Sequence, residues 1–113
     1  MKNKSIKAGH TLVMSIYKCT QHFPAEETNG LAKQLRNIAV NITENIAEGL
    51  GRTFENELGL FLSNSLGLVS RLNYLVELSS QLGYLEDEEL QELEEKIEEL
   101  KFLLKNSLGK IAA

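Results

Sequence analysis

At 113 residues, 42% hydrophobic and 25% charged, the chain has the composition of one globular domain, residues 1–113, and excludes both a disordered polymer and two independent cores. One proline and eight glycines leave no room for a loop-heavy β fold, and without Trp the core must be aliphatic. The net charge of −4 is uneven: residues 1–52 carry seven Lys/Arg against four Glu, a net of +3, and residues 53–113 carry five against twelve, a net of −7. That is not the footprint of a dedicated nucleic-acid binder, though it leaves space for a local basic patch.

A single cysteine, Cys19, cannot form an intramolecular disulfide and fits a reducing cytosol. The apolar run Leu12–Tyr17 is too short and too interrupted for a secretory segment, and no stretch reaches the length of a bilayer span. A cytoplasmic protein with no membrane partner is expected.

Helix one is predicted over about residues 8–22, where Leu12, Val13, Ile16, Tyr17 and Thr20 recur at three- and four-residue steps. Pro24 ends it and suits the first turn of helix two, predicted over residues 25–50 with Glu26 and Glu27 at its positive end. Leu31, Leu35, Ile38, Ala39, Ile42 and Ile46 fall within an arc of about 100°, a core stripe. Gly49 and Gly51 are expected to stop that helix in the left-handed region.

Helix three is predicted over residues 54–82, with Thr53 as N-cap and Gly83 as its close. Helix four follows over residues 87–111, with Asp87 as N-cap. Its set Leu90, Leu93, Ile97, Leu100, Leu104, Leu108 and Ile111 is close to a heptad seam. Connections this short force neighbouring helices antiparallel. The expected fold is all-α, an antiparallel up-down-up-down four-helix bundle.

The residues offer no catalytic constellation. His10 and His22 stand apart, without an H-x-x-x-H or E-x-x-H pair, and Cys19 has no companion at metal-ligand spacing. No metal, cofactor or small-molecule substrate is expected, and no enzymatic activity. Two other features stand out. Gln34, Asn37, Asn41, Asn45, Glu48 and Arg52 form a polar ladder within about 80° on helix two, beside the core stripe. Asn is a poor helix former, so the ladder is read as a hydrogen-bond network at a boundary with another helix or subunit, against the plainer reading of a solvated face with a Glu48–Arg52 pair. On helix three, Arg71 is the only charge between Leu58 and Val76. A helix of a monomeric bundle needs a charged wet stripe, so this one is expected to be covered by self-association through Leu60, Leu68, Leu75 and Leu78, with Leu82 on the same face.

From Phe23 to Arg52 the chain reads FPAEETNGLAKQLRNIAVNITENIAEGLGR, followed by FLSNSLG at Phe61–Gly67 and LGYL at Leu82–Leu85. This resembles the small four-helix-bundle proteins of intervening sequences in bacterial 23S ribosomal RNA genes, a family that includes the accessory variability protein of diversity-generating retroelements. The matching positions are Phe23, Pro24, Gln34, Leu35, Arg36, Asn45, Ile46, Ala47, Glu48, Gly49 and Arg52. The resemblance implies a homopentameric ring, no catalysis, and a role in binding RNA or a partner protein. Three positions depart from the family's pattern: Asn37 where a second basic residue often follows Arg36, Thr43 where a proline is common, and Arg71 where an acid is usual.

Two functions compete. One is a self-associating scaffold for a protein partner. The other is weak binding of structured RNA through Lys33, Arg36 and Arg52, together with Lys2, Lys4 and Lys7.

Overall fold

The computed structural model describes residues 1–112. Four helices follow in order: α1 (Lys4–Thr20), α2 (Leu31–Leu50), α3 (Glu55–Gln81) and α4 (Asp87–Ala112), with a short 3-10 turn at Ala25–Glu27 before α2. They form the expected antiparallel bundle. Each helix packs on two neighbours, α1 on α2 and α4, α3 on α2 and α4, and the backbones of the diagonal pairs among the described residues do not approach within 8 Å. The bundle is 44 Å long and 23 Å across, consistent with about 40 Å for a 27-residue helix at 1.5 Å per residue.

The helix ends depart from the sequence reading in instructive ways. α1 begins a full turn early, because the Asn3 Oδ1 accepts from the backbone N–H groups of Ser5 and Ile6 at 2.9 and 3.1 Å. α2 begins late, at Leu31, because Thr28, Asn29 and Gly30 are turn formers and the Glu27 carboxylate takes the Leu31 N–H at 3.1 Å. Glu26 and Glu27 therefore belong to the 3-10 turn. Phe54, not Thr53, precedes α3 and makes no side-chain cap. Glu86 rather than Asp87 caps α4: its carbonyl accepts from Leu90, and its N–H donates to Glu89 Oε1 at 2.9 Å, one arm of a capping box.

The glycines also divide. Gly83, at φ +82°, is the only residue with positive φ among those described. It closes α3 with Tyr84 N–H on Ser79 O and its own N–H on Ser80 O, the paired bonds of a Schellman motif. Gly51 ends α2 at φ −86°, in ordinary helical space, so the expected left-handed stop is absent there. Gly49 lies inside α2 and is buried, and a Cβ there would stand 2.8 Å from the Phe61 Cβ. It is a close-approach glycine between α2 and α3, not a terminator.

The core joins the predicted stripe of α2 to Leu12 and Ile16 of α1, Leu62, Val69, Leu72 and Val76 of α3, and Leu93, Ile97, Leu100 and Leu104 of α4. Ser65 and Ser79 of α3 are buried too, and each hydroxyl donates to a carbonyl one turn back, of Phe61 and Leu75. No helix among the described residues is long and apolar enough to cross a membrane.

Candidate functional site

Among the described residues no cluster of three or more His, Cys, Asp or Glu side chains could hold a metal ion. Cys19 is buried, and its thiol is pushed up to about 12, first by burial and then by the Glu89 and Glu92 carboxylates of α4. At neutral pH it is a protonated core group, not a thiolate nucleophile.

The polar ladder faces water. Gln34, Asn37, Asn41, Glu48 and Arg52 are exposed and Asn45 is half-buried. Within the chain the boundary reading holds for one rung: only Arg52 reaches a neighbouring helix, and the rest of the ladder stays open. Its hydrogen bonds are local, from Asn45 Nδ2 to Asn41 O at 2.8 Å and from Arg52 Nη2 to Glu48 Oε1 at 2.9 Å. Arg52 also lies 3.6 Å from Glu57 and stacks over the Phe61 ring at 5.1 Å. The side chain thus ties the end of α2 to the start of α3.

Lys33, Arg36 and Arg52 do not form one patch. Arg36 and Arg52 stand toward opposite ends of α2, roughly 24 Å apart at 1.5 Å per residue. Arg36 is spent on architecture: its Nε donates to Thr20 Oγ1 at 2.8 Å and its Nη2 to Tyr17 O at 3.3 Å, with the guanidinium 4.6 Å above the Tyr17 ring. It clamps the C-terminal turn of α1, where the macrodipole favours a cation. Lys33 is exposed and forms no ion pair among the described residues, but α2 begins beside the acidic turn of Glu26 and Glu27.

A family model of the 23S rRNA-intervening sequence proteins matches residues 1–106. The chain belongs to that family. No curated protein matches the chain significantly. Within the family block, the matching residues are largely architectural. Phe23 is buried and packs tilted on Tyr84 at 5.3 Å, while the Tyr84 hydroxyl donates to Glu27 Oε2 at 3.0 Å. Leu35 and Ile46 fill the core, Arg36 clamps α1, Gly49 admits α3, and Arg52 joins α2 to α3.

The expected self-association surface is divided by the structure. Leu60 is 63% exposed, whereas Leu68, Leu75 and Leu78 are half-buried against their own core. The open side of α3 runs instead through Leu60, Asn64, Gly67, Arg71 and Tyr74, the last 62% exposed. Leu60, Gly67 and Tyr74 are spaced by sevens and so share one stripe. Tyr74 escaped the sequence reading because leucine spacing was followed and the intervening tyrosine was not.

A second surface was anticipated only in part: the sequence reading named Lys2, Lys4 and Lys7 but neither Phe102 nor Lys110. The early start of α1 lays Lys4 and Lys7 against the last turns of α4, where Phe102 is 68% exposed. The signal was present in the sequence, since no acidic residue follows Glu99 while Lys101, Lys105 and Lys110 do. Summing charge by chain halves concealed it.

Proposed function

We propose that the chain is a non-catalytic module that assembles with copies of itself through the open side of α3, and that the assembly serves as a scaffold for a protein partner. One observation carries this reading. Leu60 and Tyr74 stand out from a stripe of small and amide side chains in which Arg71 is the sole charge. Water-facing helix surfaces are normally rich in charge, and a contiguous apolar-to-neutral stripe is the surface that association buries. Gly67 has open space above it, so a neighbouring helix could approach closely at mid-stripe. The family resemblance supplies the number, five. The exposed amides of the α2 ladder are then available to a partner, and the buried, unpaired Cys19 suits a reducing cytoplasm.

Light scattering tests the assembly. The unmodified chain is expected at a multiple of 12.7 kDa, near five-fold. Leu60→Glu with Tyr74→Glu should reduce it to the monomer with helicity unchanged, since both side chains lie outside the core. An unmodified chain that scatters as 12.7 kDa at micromolar concentration overturns the reading.

A further inference from the structure

The first turns of α1 and the last turns of α4 enclose two adjoining grooves, of about 640 and 480 Å³, that share Lys4, Phe102 and Leu103. The larger holds Lys7 and Lys96, with Glu99 as its one carboxylate. The smaller holds Lys2, Lys110, Asn106 and Ser107 and has no carboxylate in its lining. Lys96 is already paired with Glu92, but Lys2, Lys4, Lys7 and Lys110 form no ion pair among the described residues. Four uncommitted ammonium groups therefore surround an aromatic ring that is two-thirds exposed, in a protein whose net charge is negative.

We propose that this α1–α4 groove binds an unpaired segment of nucleic acid, with phosphates on Lys2, Lys4, Lys7 and Lys110 and a base stacked on Phe102. The combination of a cationic track and a bare ring selects this occupant. Lysines alone would suit any polyanion, but an acidic peptide has no flat face to cover Phe102, whereas every base does. Asn106 and Ser107 line the same groove as the ring and add groups able to hydrogen-bond a base edge. A duplex fits less well, because its bases are already stacked. The site is built within one copy and does not need self-association: α1 and α3 occupy diagonal corners of the bundle, so the groove and the open side of α3 are different faces. An assembly would present one groove per copy, and a strand long enough to reach two would gain by effective concentration.

Fluorescence anisotropy with a labelled oligouridylate of about ten nucleotides, a length within the span of single-strand grooves, tests the site. Binding is expected at low ionic strength, with a log–log salt slope of about −3 if four lysines each displace counterions from a single strand. Phe102→Ala should weaken binding roughly ten-fold and leave that slope unchanged, since stacking releases no counterions. Lys4→Glu with Lys110→Glu should lower the affinity and flatten the slope together, whereas Lys33→Glu should change neither. All of these side chains are exposed, so circular dichroism should show the same helicity throughout. Unchanged affinity in either groove variant overturns the proposal, as does the absence of binding at low salt. A duplex binding as tightly as the single strand removes the stacking role. Polyglutamate displacing the strand at equal charge makes the groove an acidic-peptide site instead. Light scattering in the same buffers reports assembly separately, so a failed groove and a failed α3 interface are told apart.

Discussion

α3 and α4 are neighbours of nearly equal length, 27 and 26 residues, and their inner faces are built alike. Each contributes fully buried aliphatic side chains at helical spacing, Val69, Leu72 and Val76 from one and Ile97, Leu100 and Leu104 from the other. Their outer faces have nothing in common. α4 exposes Glu88, Glu94, Glu95 and Glu98 in its first half, and Lys101, Lys105, Lys110 and Phe102 come later. α3 has acids only toward its ends, Glu55, Glu57 and Glu77, and between Leu58 and Val76 it exposes Leu60, Asn64, Gly67 and Tyr74 with Arg71 as the one charge. Periodicity identifies the face that packs inward. The composition of the opposite face bears on what covers it: the acidic part of α4 suits water, and the open side of α3 is the surface proposed above for self-association.

Equal inner faces should respond equally. Leu72→Ala in α3 and Leu100→Ala in α4 each remove a fully buried side chain, and each should cost about 2–5 kcal/mol in denaturant unfolding. A loss confined to one helix would show that the two halves of the core are not continuous. The α2–α3 contact is tighter than a generic helix pair, so Gly49→Ala should cost about 1–3 kcal/mol. The Cβ would meet the Phe61 Cβ at 2.8 Å, and that atom is fixed to the α3 backbone rather than at the end of a flexible side chain. A neutral Gly49→Ala measured by thermal melting would mean that the helices slide apart freely.

The acidic part of α4 should be felt at high pH. Cys19 faces Glu89 and Glu92, and its thiol in the folded chain sits at about 12 against an ordinary 9.0. Between these values the unfolded chain has lost a proton that the folded chain keeps, so stability falls as pH rises from 9.0 towards about 12. Tyr84, raised by its hydrogen bond to Glu27, acts in the same direction above its ordinary 10.0. Cys19→Ala should flatten the alkaline decline in unfolding free energy, and an identical pH profile in the variant would assign the decline elsewhere. The smallest effects belong to the α2 ladder. Asn45→Ala and Glu48→Ala remove local, solvent-facing hydrogen bonds and should each change the stability of the dissociated chain by no more than about 0.5 kcal/mol. A larger loss that appears only in the assembled protein would place the ladder at a subunit boundary.

The number, order and inner faces of the helices were legible because they follow from local rules. The stripe from Leu31 to Ile46 repeats at helical spacing, Pro24 breaks the chain, and Gly83 supplies the one left-handed residue the turn before α4 requires. Helix ends were less legible where a side chain competes for a backbone N–H. Asn3 starts α1 early, and Glu27 holds Leu31 as the true start of α2.

What only the tertiary structure decided is which polar groups remain available. Arg36 and Arg52 looked like free cations in sequence, but packing brings Arg36 to the end of α1 and Arg52 to Glu57 and Phe61, and both are consumed in holding helices together. Lys4 and Lys110 are separated by almost the whole chain, yet antiparallel packing of α1 on α4 sets them around Phe102. The physical reason is the same for both. Periodicity is a property of neighbours three or four residues apart, whereas charge acts through space, and a charge count along the chain averages over pairs that only the fold brings together.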